Sequence, residues 1–149
     1  MPIEFKLNGK NVVGYCHETI LQTAKRLGIG VPHLCYKEGM RPDGNCRACM
    51  VEIKGERVLA PSCCRQPTAG MEVITDNARA VASQKMVLEL LLSDMPRERH
   101  TLNSELDHWA KKLKVGEPRF VPRHQVKADL SHYGIAVNQI GRASCRERV

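Results

Sequence analysis

Cys35, Cys46, Cys49 and Cys63, spaced C-x10-C-x2-C-x13-C, are the side chains of this sequence best placed to do chemistry. Thiolates are soft ligands, and four within one stretch suit either an iron-sulfur centre or a zinc ion. A four-cysteine zinc site ordinarily brings two close pairs, each with two to four intervening residues, onto one tetrahedral ion. Only Cys46 and Cys49 form such a pair here, while Cys35 and Cys63 arrive as single arms from either side. That order can give two thiolates to each iron of a binuclear centre, so the spacing points to a [2Fe-2S] cluster, with a structural zinc site as the alternative. Disulfide pairing is a third reading, weakened because Met1 leads directly into a strand pattern with no secretory signal before it.

The neighbouring residue types fit a cluster loop. Gly44, Asn45 and Ala48 are small or turn-forming, which lets backbone amides approach sulfur, and Pro42-Asp43-Gly44 is a turn signal. Arg41 and Arg47 would offset the negative charge of a thiolate-ligated centre and favour its reduced form. Cys64 follows Cys63 directly. In an extended segment their side chains point to opposite faces, so only one is expected to ligate, and Cys63 is the choice. Cys16 lies far from the loop in sequence and is expected to be a buried structural thiol. His33, His100 and His108 are expected to be packing or surface residues.

Several elements must position this loop. Pro2 to Lys6 alternates, Asn8-Gly9 is a hairpin signal, and Val12 to Tyr15 returns. Glu18-Thr19 opens a helix with Ile20, Leu21, Ala24 and Leu27 on one face, closed by Gly28. Met50 to Lys54, Arg57 to Ala60 and Met71 to Thr75 read as further strands. Beyond Asp76, Asn77 can cap a helix to about Ser93 with a stripe of Val81, Leu88, Leu91 and Leu92, ended by Pro96. A shorter helix over Ser104 to Leu113 carries Leu106, Trp109, Ala110 and Leu113, with Lys111, Lys112 and Lys114 toward its C-terminal end.

The runs Pro32-His-Leu-Cys35-Tyr36, Gly44-Asn-Cys46-Arg-Ala-Cys49 and Pro61-Ser-Cys63 resemble the N-terminal [2Fe-2S] domain found in three groups of enzymes. These are the large subunit of NADH:quinone oxidoreductase, the diaphorase part of NAD-reducing hydrogenases, and the alpha subunit of NAD-dependent molybdenum formate dehydrogenases. Arg57-Val-Leu-Ala-Pro-Ser-Cys-Cys-Arg65, Leu90-Leu-Leu-Ser-Asp-Met-Pro96 and Asp129-Leu-Ser-His132 make the formate dehydrogenase subunit the nearest. The resemblance implies an α+β fold, a β-grasp [2Fe-2S] ferredoxin-like domain with a short helical appendage. It also implies Cys35 and Cys46 on one iron, with Cys49 and Cys63 on the other. The implied function is electron transfer, with a flavin or NAD-reactive subunit and the remainder of a larger oxidoreductase as partners. The quinone oxidoreductase relatives carry a His-x3-Cys-x2-Cys-x5-Cys set after this domain. Here that pattern, begun at His100, meets Ser104, Asp107 and Leu113.

The expected divisions are a cluster domain over 1–76, a helical region over 77–139, and a tail over 140–149. The tail, Ile-Gly-Arg-Ala-Ser-Cys-Arg-Glu-Arg-Val, is what ATC GGA AGA GCG TCG TGT AGG GAA AGA GTG encodes. That string begins a widely used sequencing adapter, so read-through is expected there and Cys145 is set aside. The tail carries three arginines against one glutamate, so the formal charge of +7 becomes +5 without it. Those positive residues are scattered and have no aromatic stacking platform between them, which argues against nucleic-acid binding. The longest dense apolar run, Val87 to Leu92, is broken by Glu89 and too short to span a membrane. A cytoplasmic protein is expected, and no acid-base or nucleophilic constellation marks the chain as catalytic by itself.

Overall fold

In the computed structural model, residues 1–95, 104–121, 135–138 and 142–145 are described. Strand β1 (Pro2–Leu7) turns back into β2 (Lys10–Tyr15) in antiparallel register from Pro2↔Tyr15 to Leu7↔Lys10. Asn8 (φ 50°) and Gly9 (φ 79°) form the two-residue loop, both in the left-handed region that a tight hairpin of this twist requires. Phe5 and Leu7 are buried while Glu4 and Lys6 face solvent, the period-two pattern of a half-buried strand.

Helix α1 (Ile20–Arg26) begins at Thr19, whose hydroxyl accepts from the Gln22 amide while the Gln22 side chain accepts from the Thr19 amide. Gly28 (φ 74°) follows its C-terminal cap. Ile20, Leu21 and Ala24 are buried as expected, but Leu27 is 41% exposed, because it caps the helix rather than extending the apolar face.

Three more strands complete a mixed sheet: β3 (Met50–Ile53), β4 (Ala60–Pro61) and β5 (Glu72–Ile74), in the order β2-β1-β5-β3-β4. Among the described strands, only β1 and β5 run parallel. The strand expected over Arg57 to Ala60 is mostly absent. Gly55 (φ 90°) turns the chain, Val58 is left exposed, and pairing with β3 resumes only at Ala60. Phe5, Leu7, Ile20, Leu21, Val51 and Val73 close the core between α1 and the sheet. The architecture is the expected α+β, ferredoxin-like β-grasp.

Helix α2 (Ala78–Ser93) starts at Asn77, whose side chain accepts from the Ala80 amide. Its buried side chains include Ala80, Gln84, Leu88 and Glu89, whereas Leu91, expected on the apolar stripe, is exposed. Gln84 explains the shift. Its amide nitrogen donates to the carbonyls of Met50 (2.8 Å) and Thr75 (3.3 Å), rotating the helix so that a polar anchor faces the sheet. Helix α3 (Glu105–Lys112) is capped by Ser104 with Asp107. It packs Leu106 and Trp109 with Ala48 and Leu88 into a second apolar cluster. Strands β6 (Ile135–Asn138) and β7 (Arg142–Cys145) pair antiparallel. Pro96, His100 and the stretch 129–132 lie outside the described residues.

Candidate metal centre

The antiparallel pairing of β3 with β4 builds the buried half of the site. Met50 opposes Pro61, so Cys49, just before β3, and Cys63, just after β4, are delivered to the same end of the sheet. Ser62 fastens the two arms. Its backbone amide (3.0 Å) and its hydroxyl (2.8 Å) both donate to the Cys49 carbonyl. The amides of Ile20 and Leu21, at the start of α1, donate to the carbonyls of Arg65 and Ser62, so the helix N-terminus is satisfied by the turn that carries Cys63. Cys49 and Cys63 are 1% and 0% exposed. Burial, with the neighbouring Cys49 thiol next, pushes the Cys63 thiol up from its ordinary range. A metal bound there would therefore have to displace its proton.

Cys46 and Cys35 are half-buried. Cys46 packs against the Ala48–Leu88–Leu106–Trp109 cluster, as does Leu34, the neighbour of Cys35. Tyr36 returns to the main core. His33 makes an edge contact with Tyr36 (5.8 Å between ring centroids), and its Nδ1 lies 2.9 Å from the Val31 carbonyl oxygen. The close pair Cys46 and Cys49 is folded tightly by Gly44 (φ 66°) and Arg47 (φ 57°), both left-handed.

Gly44 also meets a spatial limit. A Cβ there would stand 2.8 Å from Cys64 Sγ. The expected picture of Cys63 and Cys64 is reversed as well, because residues 62–64 form a turn rather than an extended segment. The Cys64 amide donates to the Pro61 carbonyl, and the two sulfurs are only 3.6 Å apart. What distinguishes them is burial, since Cys64 is exposed. Cys16, expected to be buried, is likewise exposed, with Sγ 3.4 Å from the N-terminal amine.

Sequence reasoning missed Ser62 and Gln84, whose roles depend on strands paired far apart in sequence. The donor set suits a thiolate-ligated cluster: Cys35, Cys46, Cys49 and Cys63 are all free thiols, and left-handed turns at Gly44 and Arg47 flank Cys46. Among the described residues, no three of His, Cys, Asp and Glu are placed to hold a metal ion. A binuclear centre asks less of any one point, since each iron takes two thiolates.

A family model described as a 2Fe-2S iron-sulfur cluster binding domain matches residues 1–78. The chain is 45% identical over 85 residues to the NADP-reducing hydrogenase subunit HndD of Solidesulfovibrio fructosivorans, covering 54% of this chain and 14% of that protein. It is 32% identical over 94 residues to the mitochondrial NADH-ubiquinone oxidoreductase 78 kDa subunit of Candida albicans, covering 63% of this chain and 13% of that protein. The chain thus spans only a small part of the curated relatives it matches. The crystal structure of an NAD+-reducing [NiFe]-hydrogenase in the H2-reduced state shares the fold, with a TM-score of 0.78 at 23% identity over 91% of this chain and 59% of that one. This chain belongs to the family of 2Fe-2S iron-sulfur cluster binding domains.

Proposed function

We propose that this chain is a one-electron relay whose [2Fe-2S] cluster is held by Cys35, Cys46, Cys49 and Cys63. The observation that carries the reading is the buried Cys49–Cys63 pair at the β3–β4 end, joined through a left-handed loop to Cys46. Once bound, the cluster supplies a one-electron couple. The chain's own residues hold it, limit water around Cys49 and Cys63, and tie the two arms through Ser62. Cys35 and Cys46 serve one iron, and Cys49 and Cys63 the other.

The parent enzyme in this reading is the alpha subunit of an NAD-dependent molybdenum formate dehydrogenase, with the relay lying between a flavin or NAD-reactive subunit and a molybdenum domain. Support comes from the Pro61-Ser-Cys-Cys-Arg65 run and from Ser104, Asp107 and Leu113, which stand where the quinone oxidoreductase relatives place second-cluster cysteines. Residues 1–76 form the cluster domain, 77–139 the helical region, and 140–149 adapter read-through. A reducing compartment, the cytoplasm, fits six free thiols among the described residues. A hydrogenase or quinone oxidoreductase subunit is the second reading, favoured by the 45% identity to a hydrogenase subunit. The sequence beyond Asn138 in the intact gene distinguishes the two.

Anaerobic reconstitution tests the relay. The expected product binds two irons and two sulfides per chain and becomes paramagnetic on one-electron reduction. A colourless protein with one zinc per chain and no reduced-state paramagnetic resonance signal overturns it in favour of a structural zinc module.

A further inference from the structure

We infer that α3 is a shield for the cluster loop and that Trp109 sets the cluster's reduction potential by keeping water off the Cys46 side. The inference rests on the cluster reading above. The two halves of the site are protected by different parts of the chain. Cys49 and Cys63 are sealed by the β-grasp core itself, whereas Cys46 is only half-buried and leans on Ala48, Leu88, Leu106 and Trp109. Ala48, between the ligands Cys46 and Cys49, is fully buried under this layer. Leu106 and Trp109 come from α3, outside the family-matched residues 1–78.

Trp109 is held on both sides. Its indole lies 5.7 Å from the His33 ring, which is two residues before Cys35, and 5.6 Å from the His108 ring. The Lys112 ammonium stands 4.8 Å from its centroid. Gly30 leaves room for this closure, because a Cβ there would meet Lys112 Nζ at 2.5 Å and the far edge of the indole at 3.6 Å. Trp109 itself is 8% exposed and belongs to the cluster against which Cys46 packs, which places a large apolar ring on that flank.

The sign of its effect follows from solvation. One-electron reduction adds negative charge to a centre that already carries four thiolates, and water stabilises the more charged form more strongly. Excluding water therefore lowers the potential, and admitting it raises the potential.

The test uses the full chain, reconstituted with iron and sulfide, as wild type, Trp109→Ala and Trp109→Phe. Metal and sulfide content, midpoint potential and deuteron coupling to the reduced cluster in D2O are measured for each. Trp109→Ala is expected to keep two irons and two sulfides, shift its midpoint potential positive and gain deuteron coupling, while Trp109→Phe stays near wild type. A loaded Trp109→Ala with unchanged potential and coupling overturns the shield. If that variant does not fold or load, Trp109→Leu carries the same comparison, and an unchanged potential there overturns it equally. A wild-type chain that binds no iron and sulfide fails the cluster reading instead, and metal analysis shows this before any potential is measured.

Discussion

Cys63 and Cys64 differ by burial rather than by direction. The turn over residues 62–64 brings their sulfurs within 3.6 Å, yet only Cys63 is buried in the core beside Cys49. Replacing Cys64 with serine should leave the visible spectrum of a [2Fe-2S] centre intact, whereas Cys63→Ser should abolish or strongly perturb it. The opposite pattern would reassign the fourth ligand. A second residue-scale test concerns Glu89, which accepts from the Arg119 amide, Nε (2.7 Å) and Nη2 (2.9 Å). The guanidinium holds the Glu89 carboxyl down at about 2, below its ordinary 4.5. A depressed carboxyl contributes stability that is complete above its unfolded value and lost as pH falls toward the folded one. The denaturation midpoint of wild type should therefore exceed that of Glu89→Gln at neutral pH, and the gap should close between about pH 4.5 and about pH 2. A gap constant through that window would show that the pair does not titrate as described.

Among the elements, α2 is the join between the β-grasp sheet and the α3 layer over the cluster loop. Its start is a local matter, fixed by Asn77 accepting from the Ala80 amide. Its rotation is not. Gln84, 2% exposed, bridges the carbonyls of Met50 and Thr75 and so brings Leu88 against Ala48 while Leu91 faces out. Gln84→Leu keeps the volume but strips both carbonyls of this donor, and should cost about 1–3 kcal/mol by chemical denaturation. Because Met50 follows Cys49 directly, cluster content should fall with it. A variant as stable as wild type would mean that water replaces the lost donor at no cost.

For the whole molecule, the proposed cluster predicts that metal binding and order are coupled. The four cysteines proposed as ligands sit on segments separated by up to 28 positions, Cys35 to Cys63, and bonds to a shared centre would tie those segments together. Amide exchange in the metal-free chain should be faster over residues 35–63 than in the reconstituted one, with β1, β2 and α1 changing less. Equal protection in both forms would indicate a loop preformed without metal. Deleting residues 140–149 removes β7, the partner of β6, but should leave the exchange pattern of residues 1–95 and the iron content unchanged, and a clear fall in either would make that tail part of the cluster domain's fold.

The features legible in the sequence are those written within a few residues. Asn8-Gly9 fixes the first hairpin because both positions tolerate a left-handed backbone, and Thr19, Asn77 and Ser104 start helices because each can satisfy an amide three residues on. The cysteine spacing is equally local, since it reflects how two arms and one tight loop can reach a binuclear centre. Tertiary structure alone decided the parallel pairing of β1 with β5, the loss of most of the Arg57–Ala60 strand, and the exposure of Cys16 and Leu91. It also laid Trp109 beside the cluster loop. Those outcomes depend on contacts between residues tens of positions apart, where burial and strand register override what any short window of sequence prefers.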